Sequence, residues 1–176
     1  MKKGISILLF MALFSGCFWR NEQIIEPPKK DGYRPVYLSR EDLEKVSVLS
    51  PQAMKTPGKI YIKDKFLFVN EQAKGVHIFN NTDPKKPLKL AFVNIPGNMD
   101  IAIRGTIMYA DNGRDLIVID VANPSQAKII NRIKDIFPNA EFPEQTGVYF
   151  ECVDNAKGVV IGWEKISYNS SLKCFR

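Results

Sequence analysis

Between Lys59 and Val160 the chain nearly repeats itself, and a repeat of about 40 residues restricts the fold more than any single motif does. Lys59-Ile60-Tyr61-Ile62-Lys63 aligns with Asp100-Ile101-Ala102-Ile103-Arg104, and Phe66-Leu67-Phe68-Val69-Asn70 aligns with Ile107-Met108-Tyr109-Ala110-Asp111 at the same spacing. One residue is then lost. Val76-His77-Ile78-Phe79-Asn80 matches Leu116-Ile117-Val118-Ile119-Asp120, and Thr82-Asp83-Pro84 matches Ala122-Asn123-Pro124. A third copy begins late, with Glu71-Gln72-Ala73-Lys74-Gly75-Val76 matching Asp154-Asn155-Ala156-Lys157-Gly158-Val159. Each apolar run is five or six residues long, β-branched or aromatic, and bounded by Gly, Asn, Asp or Pro. That is strand and turn chemistry, and the runs are too short for the 3.6-period faces of helical repeats. Each unit ends on a further strand, Leu88 to Asn94 or Lys128 to Ile133. Four short antiparallel strands per unit is the size of one β-propeller blade. The predicted fold is all-β, with two full units and part of a third.

Leu116-Ile117-Val118-Ile119-Asp120 followed by Asn123-Pro124, and Val76-His77-Ile78-Phe79-Asn80 followed by Asp83-Pro84, resemble the LVIVD repeat of bacterial β-propeller proteins. The likeness covers residues 57 to 163, and the Ile95-Pro96-Gly97-Asn98-Met99-Asp100 join fits lipoprotein members of that family. It implies a propeller fold on the cell envelope and brings no catalytic residues with it. A propeller closes with about four to eight blades, each packed on two neighbours. The expectation is therefore that this chain associates with itself or a partner to complete a ring, or is the N-terminal portion of a longer protein. Unclosed, the array exposes apolar faces and strand edges.

The N-terminus reads as an address. Lys2 and Lys3 precede an apolar run from Ile5 to Phe14, far short of the roughly 20 residues that cross a bilayer. Leu13-Phe14-Ser15-Gly16-Cys17 resembles the bacterial lipobox, which implies cleavage before Cys17 and acylation of its thiol and new amino group. Three acyl chains hold a protein far more firmly than one, at about 0.8 kcal/mol per buried methylene. The expected organisation is a signal peptide over 1–16, a lipidated Cys and tether over 17–57, and the β-repeat domain over 58–176. No Asp follows Cys17, which favours the outer membrane. Within the tether region, Ser39 and Asp42 form a helix-initiating signal, so Arg40 to Val46 is expected to make one or two turns.

Composition removes several classes. Removing Lys2 and Lys3 from the +6 chain leaves 23 basic against 19 acidic residues, a modest excess that does not call for nucleic acid. One His and three Cys offer little for a His-based triad or a zinc site. Asp111 and Asp115 flank a Gly-bearing turn and could ligate calcium, but the terminal Glu of a calcium loop is absent, and a hairpin turn is the plainer reading. His77 lies mid-strand as a packed or half-exposed residue. Cys152 and Cys174 are either bridged, which would close a loop of about 23 residues and contribute about 3 kcal/mol, or free thiols. Glu141, Glu144, Glu151 and Asp154 are close in sequence and could pair as acid and base, or sit solvated at turns. Trp163, Phe142 and Tyr149 form either an aromatic binding surface or packing between units.

No metal and no cofactor is expected. The expected function is a lipid-anchored envelope module that binds or scaffolds a protein or glycan without catalysis. The alternatives are an envelope enzyme acting on a glycan, and a fragment of a longer propeller lipoprotein.

Overall fold

The computed structural model describes residues 30–137 and 141–176. Their fold is all-β, three separate sheets of which none closes on itself. The strands are β1 (Asp31–Leu38), β2 (Ser47–Leu49), β3 (Pro57–Lys63), β4 (Phe66–Glu71), β5 (Gly75–Asn80), β6 (Leu88–Asn94), β7 (Ile101–Arg104), β8 (Ile107–Asn112), β9 (Asp115–Asp120), β10 (Lys128–Ile133), β11 (Tyr149–Phe150), β12 (Val159–Ser167) and β13 (Cys174–Phe175). A single helical turn, α1 (Arg40–Leu43), begins at Ser39, whose Oγ accepts from the Asp42 N–H at 3.0 Å.

The first sheet is an antiparallel meander of β3 to β6, with β2 added outside β6. The second is the meander β7 to β10. These eight strands fall on the eight repeat segments. Their facing side chains make the main core: Phe68, Val76, Ile78, Val93 and Ile95 from the first unit against Ile101, Ile103, Met108, Ala110, Ile117 and Ile119 from the second. In β9 burial alternates strictly, as a strand with one packed face requires. In β5 every residue from Gly75 to Phe79 is buried. A strap formed by residues 50–56 is tied to the neighbouring strands, where the Lys55 and Thr56 N–H groups donate to Glu71 of β4 and Lys89 Nζ of β6 donates to the Gln52 carbonyl.

The third sheet departs from the repeat. Its order is β12-β1-β11-β13, so the strand nearest the N-terminus lies inside it. β1 runs antiparallel to β12 along its whole length and parallel to β11. Residues 31–57 are therefore not tether: β1, α1 and β2 belong to the folded body, and the domain reaches back at least to Asp31 rather than beginning at residue 58. The helical turn also ends at Leu43, short of Val46, because Val46 N–H has already turned to the Glu44 carbonyl. Cys152 and Cys174 are joined by a disulfide with Cα atoms 5.2 Å apart, which ties β13 to the segment after β11.

Candidate functional site

The second and third sheets do not close on each other as the first and second do. Between them runs a cleft of about 600 Å³, within the range of ligand sites. One wall carries Ala102, Tyr109 and Leu116 from the second sheet, and the other carries Tyr33 and the consecutive residues Val160, Ile161, Gly162 and Trp163. Phe137, Phe142 and Glu144 complete it. The reason is local. The meander of the second sheet turns Met108, Ala110, Ile117 and Ile119 toward the first sheet, so the alternate set, including Tyr109 and Leu116, must face the other way.

Among the described residues three carboxylates line the cleft, from Asp100, Asp111 and Glu144, and no Lys, Arg or His does. Asp111 is partly spoken for by the fold. Its Oδ1 accepts from Asn98 Nδ2 at 2.7 Å and from the Met99 and Asp100 N–H groups at 2.8 and 2.9 Å. Burial pushes its carboxyl above the usual range, and these donors only partly offset that. Asp100 pairs with Lys59 across the first two sheets. Trp163 stacks edge-on against Phe150, and its Nε1 is buried with no hydrogen-bond partner among the described residues.

Two polar centres brace the surroundings. Asn98 sits buried at the join between units, where its Oδ1 accepts from Asn70 Nδ2 at 2.5 Å. Asp115, fully buried, accepts from Arg40 Nη1 at 2.8 Å on each oxygen, from Arg132 Nη1 at 2.7 Å and from the Asp135 N–H at 3.1 Å. Burial alone would raise the Asp115 carboxyl, but the Arg40 guanidinium, the Asp135 amide and Arg132 outweigh it and hold it below its ordinary value.

The residues singled out in the sequence scatter. Cys17 lies outside the described residues. Asp111 and Asp115 do not share a site, since one closes the 98–100 turn and the other is bound by arginines. Among the described residues no cluster of three His, Cys, Asp or Glu side chains could hold a metal. Glu141 pairs with Arg114, Glu151 accepts from Ser171 Oγ, and Asp154 caps a short 3-10 turn, so only Glu144 of that group reaches the cleft. Phe142 and Trp163 line the cleft, while Tyr149 packs on Phe175 instead.

His77 is buried at 2% exposure and lies 3.2 Å from Glu71, an acid the sequence reading passed over. Burial would raise the Glu71 carboxyl. Two backbone N–H groups, the Thr56 hydroxyl and His77 overcome this and bring it to about 2. This pair does not line the cleft between the second and third sheets; Glu71 fastens the strap.

The chain matches no protein-family model, no curated protein and no solved structure. Among the described residues, no helix is long and apolar enough to cross a membrane.

Proposed function

We propose that this chain is a lipid-anchored cell-envelope protein whose sheets are propeller-type repeats serving as a binding or scaffolding module. The observation that carries the reading is the cleft between the second and third sheets, apolar, walled by aromatic side chains and placed beside a body of rigid strands. The Leu13-Phe14-Ser15-Gly16-Cys17 motif supports the anchor. The Cys152–Cys174 disulfide supports an oxidising compartment. Two meanders on the repeat segments, packed face to face, support the blade reading.

Metabolic labelling with an azido fatty acid, followed by detergent phase partitioning, tests the anchor. The full chain is expected to carry label and enter the detergent phase, and Cys17→Ala to lose both. An unlabelled, aqueous wild-type chain overturns the proposal.

A further inference from the structure

In the first two sheets the strands matching β12 by sequence, β5 and β9, are flanked on both edges, by β4 and β6 and by β8 and β10. Among the described residues, β12 is flanked only by β1. The backbone groups on its other edge can be assigned from the ladder. Antiparallel pairs alternate between those that exchange hydrogen bonds and those that point them away. Tyr168 N–H donates to the Lys30 carbonyl at 3.1 Å, one step beyond the Ser167–Asp31 pair. The bonded pairs are then Ile166 with Gly32 and Glu164 with Arg34, while Lys165, opposite Tyr33, and Trp163, opposite Pro35, aim their N–H and C=O groups outward.

Two contacts on the β1 side agree with this assignment. Tyr33 turns its carbonyl away from β12 to accept from Glu151 N–H at 2.9 Å, and Pro35, which has no N–H to give, stands at a position where the ladder needs none. The outward groups of Trp163 and Lys165 have no backbone partner among the described residues. Val160 to Trp163 all line the cleft, across the bulge at which Ile161 has no partner on β1.

We infer that the free edge of β12 is a strand-addition site, at which an extended segment of another polypeptide enters the cleft and pairs antiparallel with β12. The inference rests on the binding-module reading above and supplies its partner. The segment matching β4 by the repeat, β11, pairs with β1 instead, so the place beside β12 that β4 and β8 take beside β5 and β9 is open to a strand of five or six residues, apolar on both faces or on alternate positions. Asp100 is already paired with Lys59, but Asp111 and Glu144 line the cleft with no cation on them among the described residues, and they select a segment bearing Lys or Arg over one bearing Asp or Glu. Asp111 Oδ2, which takes none of the three donors that Oδ1 takes, and Glu144 are the groups such a cation would meet.

The test is calorimetric titration of the full chain with a peptide carrying the Phe66–Asn70 sequence flanked by two lysines at each end. Saturable one-to-one binding is expected. Methylating alternate backbone nitrogens of the peptide leaves its side chains intact but removes its ladder donors, and is expected to weaken binding about tenfold or more. Lys165→Pro removes an N–H that the β1 ladder does not use, so its unfolding midpoint should match wild type while peptide affinity falls similarly. Absence of binding, equal binding of the methylated peptide, or equal binding with glutamates in place of the lysines overturns the inference, and the peptide arms decide it even if Lys165→Pro fails to fold. Self-association abolished by Lys165→Pro would also overturn it, assigning the edge to a second copy. Fatty-acid labelling reads the anchor and the titration reads the edge, so either can fail alone.

Discussion

The first and third sheets carry the same turn sequence, ending on a glycine, and complete it differently. Gly75 and Gly158 occupy matching repeat positions and both adopt positive φ, 141° and 115°. A Cβ on Gly75 would stand 2.0 Å from the Val93 carbonyl oxygen on β6, and one on Gly158 would stand 2.4 Å from the Leu38 carbonyl oxygen on β1. The glycine therefore serves one purpose in both sheets, letting a neighbouring backbone approach. In the first sheet that neighbour is the next strand of the same unit. In the third it is the strand nearest the other end of the chain. The repeat encodes a strand and its turn; it does not encode which segment will lie alongside.

That contrast gives the sharpest experiments. Gly75→Ala is expected to cost more than the roughly 1–3 kcal/mol that positive φ alone imposes on a non-glycine residue, because backbone must also move. Its urea transition should shift for the whole molecule, since β5 belongs to the main core. Gly158→Ala should instead speed amide exchange in β12 and leave β5 protected. Equal loss of protection in both strands would mean the two sheets unfold as one unit, and the comparison would collapse.

Reducing the Cys152–Cys174 bridge is expected to destabilise by about 3 kcal/mol. The effect should again fall on the third sheet, where the bridge spans 22 positions of sequence. Exchange measured with and without reductant checks it, and uniform deprotection would argue against a separable third sheet.

Glu71→Gln removes the charge that fastens the strap over the first sheet, at an expected cost of about 1–3 kcal/mol. The pH dependence has a definite sign. A carboxyl brought from 4.5 when unfolded to about 2 when folded stabilises above pH 4.5, and the contribution is lost as pH falls through about 2. Acid titrations of wild type and Glu71→Gln should therefore converge toward pH 2. The smallest effect belongs to Arg34→Ala, whose partner Glu164 is half exposed like itself; the unfolding midpoint should hardly move.

Strands β3 to β10 were legible because each apolar run is closed by a turn residue and the pattern recurs. β1 was not. Its sequence, Asp-Gly-Tyr-Arg-Pro-Val-Tyr-Leu, contains a proline that ordinarily demotes a strand, and its partner β12 lies beyond every local window. Pro35 is tolerated because it falls where no donor is needed, a fact of register rather than of composition. The cleft was half legible: Trp163 and Phe142 were singled out as aromatic, but the arrangement that leaves them facing open space depends on β1 entering the sheet. Glu71 was missed because an acid at a hairpin reads as solvated. Only the strap buries it, and the only sequence hint is Thr56, fifteen residues upstream.

The pairing of β1 with β12 also orders events in time. Asp31 and Ser167 are partners 136 positions apart, and a ribosome adds about 5–20 residues per second. The first strand of the described residues is thus made on the order of ten seconds before its partner, whereas both meanders between them have all their neighbours close in sequence. Until β12 is available, β1 has no long antiparallel partner among the described residues, whereas the strands of the two meanders pair only with one another and with β2.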